Sequence, residues 1–116
     1  MDRKTVDRKN MKEAYRQRPI IGGVSAVINS ANGRMLIESD VDISSKLNRF
    51  QFAKASGNCI YPRIQADWAK YGPGSFSFEV LERLEKPDDQ DIREFAENIA
   101  LMERIWVEKT DPGALY

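Results

Sequence analysis

Histidine is absent from the 116 residues, and cysteine occurs once, at Cys59. These two shortages exclude whole classes of chemistry. A zinc site built from His and Cys cannot assemble within one such chain. Ser-His-Asp and Cys-His nucleophilic schemes are ruled out for the same reason. General acid–base work would fall to Glu, Asp, Lys, Tyr or Cys. An internal disulfide is impossible, and a lone thiol fits a reducing compartment, so a cytoplasmic location is expected. Net charge is lacking too: Lys plus Arg is 18 and Asp plus Glu is 18. General electrostatic capture of nucleic acid is therefore not supported, although a local basic face can still form. No apolar run approaches the roughly 20 residues of a membrane span. Met1-Asp2-Arg3-Lys4 opens a polar segment without a signal-peptide core, so no membrane partner is expected.

Apolar residues make up 41% and charged residues 31% of the chain, a balance that suits one soluble globular domain with a modest core. Residues 1–19 are expected to form an N-terminal helical extension, stopped by Pro19. Its cations (Arg3, Lys4, Arg8, Lys9, Lys12, Arg16 and Arg18) can contact phosphates or form a solvated face. Residues 20–116 carry the main domain.

That domain is organised around Gly22 to Ser39. Val24, Ala26 and Ile28 alternate with Ser25, Val27 and Asn29, so one strand face is apolar and the other mixed. Asn32-Gly33 supplies a tight reversal, and Met35, Leu36 and Ile37 resume the apolar pattern in a second strand. Asp42 and Ser44 are candidate N-caps of a helix running to about Ala55. Ile43, Leu47, Phe50 and Lys54 follow helical spacing in it, and Ser56-Gly57 ends it. Lys46 and Arg49 lie one turn apart and can share a face.

Pro62 fits the first turn of another helix, with Ile64, Trp68 and Tyr71 on one side and Gly72 beyond its end. Ser75 to Leu81 alternates as a half-buried strand. A last helix carries an apolar stripe of Ile92, Phe95, Ile99, Met102 and Trp106. Ala114-Leu115-Tyr116 is a short tail. The expected fold is α+β, a small three-stranded antiparallel sheet flanked by about four helices.

The hairpin resembles the opening of the GIY-YIG nuclease family. The frame is Gly23-Val24-Ser25, then Ile28-Asn29, Asn32-Gly33-Arg34, Leu36-Ile37-Glu38 and Ser39. The similarity continues through Leu47-Asn48-Arg49-Phe50, Ile64 to Trp68, Tyr71-Gly72, Phe76 to Glu82, and Met102 to Val107. It looks like the compact bacterial branch of that family and implies the same fold over residues 20–116.

The resemblance also implies where a site would lie. The family's single metal-holding glutamate matches Glu103, which would hold Mg²⁺ or Mn²⁺. The first signature tyrosine, close to the attacking water, is matched by Ser25, and the second by Leu36. The signature glycine is matched by Glu38. The phosphate-contacting arginine is best matched by Lys46, with Arg49 a turn later. The assisting histidine falls near Phe50, and Cys59 near a second histidine position. Ser25, Leu36, Lys46 and Arg49 are thus the candidate catalytic positions. Lys46 and Arg49 are the candidate substrate contacts, and Glu103 the candidate metal ligand.

Each candidate has a plainer structural reading. Glu103 can be a boundary carboxylate paired with Arg104 or Lys109. Glu38, Asp40 and Asp42 can form an acidic site, or serve as solvent-facing charge and helix caps. Trp68 and Trp106 sit at core spacing, which suits packing better than base stacking. Cys59 without a basic partner is expected to be inert. Lost positioning and general-base groups each cost about 10²- to 10⁴-fold in rate. The expected function is therefore an endonuclease-like domain with a degraded site that binds DNA, another nucleic acid or a protein without catalysis. The alternative is a metal-dependent DNA endonuclease that uses Glu103 with Lys46 or Arg49.

Overall fold

The computed structural model describes residues 19–116. The expected N-terminal helix and its cations lie outside the described residues. The described chain runs β1 (Ile21–Asn29), β2 (Met35–Asp40), α1 (Ile43–Ser56), α2 (Gln65–Tyr71), β3 (Phe76–Glu85) and α3 (Ile92–Lys109). Short 3₁₀ turns at Pro62–Ile64, Pro73–Ser75 and Pro112–Ala114 join or end these elements. The sheet is three-stranded and antiparallel, in the order β2-β1-β3. The fold is α+β.

The central strand β1 is buried on both faces, which corrects the expectation of one apolar and one mixed face. Val24, Ala26 and Ile37 pack with Met35, Leu81, Met102 and Trp106 beneath α3. On the other face Val27, Leu36 and Phe76 pack with Phe50, Ala53, Tyr61, Ile64 and Trp68, from α1, the loop after it and α2. Trp68 stacks on Phe76 with ring centroids 5.0 Å apart, and its Nε1 donates to Gly57 O at 3.1 Å. Gly22 permits the close approach of α3: a Cβ there would lie 3.0 Å from Ile99 Cδ1. Burial of Phe95 and Ile99 on α3 contributes about 1.5–3 kcal/mol each by removal of apolar surface from water.

Local chemistry fixes the element ends. Asp42 caps α1, accepting from Ser45 N at 3.2 Å and from Ser45 Oγ at 2.8 Å. These bonds favour the carboxylate and hold its pKa below the usual value. Gly57 ends α1 in the left-handed region, at φ 78°. Asp91 caps α3 by accepting from Glu94 N at 2.8 Å.

The structure departs from the sequence reading in the length and regularity of β3 and in two helix residues. β3 continues to Glu85, because its backbone keeps pairing with Ile21–Val24 although the side chains turn polar. Pairing jumps from Glu82 opposite Val24 to Val80 opposite Ser25, so Leu81 is an extra residue in a bulge. Tyr71 and Ile92, expected on the apolar sides of their helices, are exposed at 39% and 51%.

The short C-terminal tail is tied down. Asn29 is fully buried on β1. Its Nδ2 donates to Tyr116 Oη at 3.0 Å, and its Oδ1 accepts from Ser75 Oγ at 2.6 Å and Ala31 N at 3.0 Å. Tyr116 Oη donates in turn to Asp67 Oδ2 at 2.7 Å. Arg34 Nη2 donates to Leu115 O at 2.8 Å and lies over the Tyr116 ring. Tyr116 N donates to Met35 O at 3.0 Å, which makes a one-rung parallel bridge between Leu115 and Met35 on the outer edge of β2.

Two substitutions test this architecture by thermal or denaturant unfolding. Tyr116→Phe removes the hydroxyl shared by Asn29 and Asp67 and is expected to cost about 1–3 kcal/mol, the range for leaving a buried polar group without its partner. Gly23→Ala would drive a Cβ into the Glu82 carbonyl of the neighbouring strand. Because that obstacle is backbone, the loss should equal or exceed that of Tyr116→Phe.

Candidate functional site

Strand pairing brings the site residues together from distant parts of the chain. Ser25 on β1 faces Glu38 directly across β2. One turn into α1, Lys46 reaches back so that its Nζ lies 2.9 Å from Glu38 Oε1. The distance is that of a close ion pair. Arg49 Nη2 donates to Asp40 Oδ2 at 2.8 Å. Its side chain is 59% exposed, so this pair is worth about 0.2–1 kcal/mol at most. The Lys46 side chain is only 14% exposed, and its pairing is correspondingly harder to break.

Two adjoining hollows form here. The larger, of about 380 Å³, is lined by Leu36, Ile37, Glu38, Ile60, Tyr61, Pro62, Arg63 and Glu103. The smaller, of about 150 Å³, is lined by Glu38, Lys46, Arg49, Ile60 and Tyr61. Glu38, Ile60 and Tyr61 therefore form the wall common to both. Leu36, Lys46, Arg49 and Glu103 all border this double hollow. Ser25 does not; it is 1% exposed and sits behind Glu38 on the central strand.

Glu38 keeps 35% of its side chain exposed, and strand alternation turns its carboxylate toward Lys46. Asp40 and Asp42 act as an ion-pair partner and a helix cap. Glu103 pairs with neither Arg104 nor Lys109. Among the described residues it has no ion-pair partner at all.

Tyr61 is the residue that sequence reasoning missed. It is 6% exposed, and its hydroxyl has no hydrogen-bond partner among the described residues. The one local hint was its place immediately before Pro62, which fixes an extended backbone and aims the ring inward. Burial pushes its pKa up to about 12, with the charges of Glu38 and Cys59 adding to the rise. At neutral pH it is therefore a hydrogen-bond donor and not a base. Two buried hydroxyls of this neighbourhood, Ser25 Oγ and Tyr61 Oη, lack a hydrogen-bond partner among the described residues, while Glu38 Oε1 is met by Lys46 Nζ at 2.9 Å. Buried polar groups are ordinarily satisfied, so the Tyr61 hydroxyl, on the wall common to both hollows, is a donor free to meet a polar group there.

A divalent ion would find thin support. No group of three His, Cys, Asp or Glu side chains comes together among the described residues. Glu38 is already engaged by Lys46, which leaves Glu103 as the carboxylate of the larger hollow without an ion pair. One carboxylate holds a hard cation weakly and leaves most of its coordination to water or substrate.

A third, more apolar hollow of about 480 Å³ lies beside Asn48, Arg49, Phe52 and Ile60. Phe52 is 74% and Ile60 47% exposed, an unusual surface position for large apolar side chains. The tryptophans are accounted for by packing: Trp68 is in the core, and Trp106 Nε1 donates to Glu82 Oε1 at 2.7 Å. The Cys59 thiol donates to Tyr61 O at 3.3 Å and so braces the loop that carries Tyr61. Among the described residues no helix is long and apolar enough to cross a membrane. Comparison with protein-family models, with curated proteins and with solved structures finds no match to this chain.

The Tyr61 hydroxyl gives a pH test. Its folded pKa lies above the usual 10.0, so above pH 10 the unfolded chain releases the proton more readily than the folded one. Stability should fall as pH rises from 10 toward 12, and Tyr61→Phe should reduce that fall. Chemical denaturation at several alkaline pH values measures both. An equal pH dependence in the variant would show that Tyr61 is not the group responsible.

Proposed function

We propose that this chain is a GIY-YIG endonuclease-like domain whose hydrolytic site has been replaced, leaving a non-catalytic binding module. The observation that carries this reading is the Glu38–Lys46 ion pair at 2.9 Å in the wall of the double hollow. A carboxylate already neutralises the cation best placed to meet a phosphate. The resemblance assigns tyrosines to the positions of Ser25 and Leu36. Ser25 is buried behind the wall, and Leu36 belongs to the hydrophobic core. Neither can present a phenolic hydroxyl to the hollow.

Protein is favoured over nucleic acid as the partner. Both candidate phosphate contacts, Lys46 and Arg49, carry acidic partners within the chain. Exposed Phe52 and Ile60 offer apolar contact area beside them, and such side chains suit a protein interface. A second reading is a metal-dependent DNA endonuclease. It is favoured by one observation: Glu103, Lys46 and Arg49 border hollows that share a wall. In that case Glu103 would hold Mg²⁺ or Mn²⁺, and the ion would offset phosphate charge.

Incubation with single- and double-stranded DNA and RNA in Mg²⁺ or Mn²⁺ decides between the two. No cleavage is expected. Cleavage abolished by Glu103→Ala would establish the second reading instead. DNA binding should be undetectable at low salt in the parent protein and should appear in Glu38→Gln, which releases Lys46. Log K should then fall against log salt with a slope of about −0.9 per phosphate neutralised. Parent protein that binds DNA as tightly as the variant would remove the case for a protein partner.

A further inference from the structure

We propose that the open outer edge of β2 receives an extended segment of a partner protein as an added strand, one that carries an adjacent acidic and basic residue. This rests on the reading of the domain as a binding module and names the chemistry of its partner.

The larger hollow touches Leu36, Ile37 and Glu38 in succession. Successive strand side chains point to opposite faces, so a hollow bordered by three in a row lies along the strand edge and not on either face. Alternation in the β1–β2 ladder sets which peptide groups point outward. Asn29 N donates to Arg34 O at 2.9 Å, so with the observed register Leu36, Glu38 and Asp40 bond to β1. Met35, Ile37 and Ser39 then aim their N–H and C=O groups away from the sheet. The Met35 carbonyl does so visibly, since Tyr116 N reaches it from outside at 3.0 Å. The chain's own tail thus occupies the first rung of this edge in parallel orientation. No backbone or side-chain group among the described residues bonds the main chain of Ile37 or Ser39 from that side. An unpaired edge of this kind is a template for strand addition.

The walls select what can enter. Ile60 to Arg63 stand on the α1–α2 side, and Glu103 stands on the α3 side. An added strand would lie between these walls. Arg63 and Glu103 have no ion-pair partners among the described residues. Because neighbouring residues of an added strand point to opposite faces, an acidic residue would meet Arg63 while the next, basic residue meets Glu103. A nucleic-acid backbone would bring phosphates toward the outward carbonyls and Glu103, where repulsion opposes it.

The probe is a fluorescein-labelled peptide of about six residues, the usual strand length, built of Val and Thr around a central Glu-Lys pair. Fluorescence anisotropy and amide NMR are read on the intact parent protein. Saturable binding is expected, with the largest amide shifts and slowed hydrogen exchange at Ile37 and Ser39. Methylating alternate peptide nitrogens blocks one hydrogen-bonding edge. One phase of methylation should abolish binding and the other should not. Ser39→Pro removes an outward donor without breaking the β1 ladder and should weaken binding at least about fivefold, roughly one hydrogen bond. A peptide with Lys-Lys at its centre should bind Glu103→Lys less well than the parent protein.

Absence of binding at about 1 mM peptide, binding indifferent to both methylation phases, or shifts confined to another surface would overturn the proposal. So would a dimer paired through this edge. These outcomes are separate from the nuclease assay. Glu103-dependent DNA cleavage removes the binding-module reading, whereas failure of the peptide alone removes only the β2 edge as its site.

Discussion

A strand with both faces covered cannot leave a polar side chain to solvent, and β1 is such a strand. Every residue from Gly22 to Val27 is buried, and so is Asn29. Its two buried polar side chains, Ser25 and Asn29, must therefore find partners inside the protein or go without. Asn29 finds them in Ser75, Ala31 and Tyr116, and the C-terminus is fixed as a result. Ser25 finds none, and it pairs across the ladder with Glu38, whose side chain walls the double hollow. One end of the central strand is thus closed by a complete polar network, and the site lies where such a network is incomplete.

That contrast explains why the acidic residue on β2 is tolerable. Glu38 and Asp40 are partly covered, with side chains 35% and 24% exposed, so a nearby counter-charge offsets part of the lost hydration. The N-terminal turns of α1 supply Lys46 and Arg49, which take Glu38 and Asp40 respectively. The cap at Asp42 sets where α1 begins, and so sets how far these two cations reach back over the sheet. A change of helix register by one residue would swing Lys46 away from the hollow, since successive helical side chains are about 100° apart. Helix capping and site electrostatics are consequently coupled through a few residues.

The same hollow can be viewed from the sheet edge. β2 is covered at Met35 by the tail and is flanked beyond it by the Tyr61 loop and by α3. These walls limit indiscriminate edge pairing, which an uncovered strand would invite. The Cys59 thiol and Pro62 hold the loop on one side, and the packing of Met102 and Trp106 holds α3 on the other. Apolar packing thereby determines how wide a polar recess stands open.

Local chemistry made much of this legible in the sequence. The Asn32-Gly33 reversal, the Asp42 cap, the Gly57 stop, the Pro62 turn and the stripe of Phe95 and Ile99 are all short-range signals, and each element formed where its signal stood. The end of β3 was not legible, because backbone pairing with β1 and not side-chain polarity carried the strand to Glu85. Spacing could place Lys46 and Arg49 on one face of α1. It could not say that both would be neutralised, since their acidic partners come from another element. Tyr61 was overlooked because its importance is purely spatial: the loop after α1 folds it against Glu38, a residue distant in the chain. Nothing local marks the tail for anchoring, because Asn29 meets Tyr116 only in the folded chain. The sequence by itself settled which segments become strands and helices, since propensity, capping and periodicity act over a few residues. The tertiary structure alone decided which charges meet, which hydroxyls are left without partners and which strand edge stays open, because those depend on contacts between residues that only folding brings together.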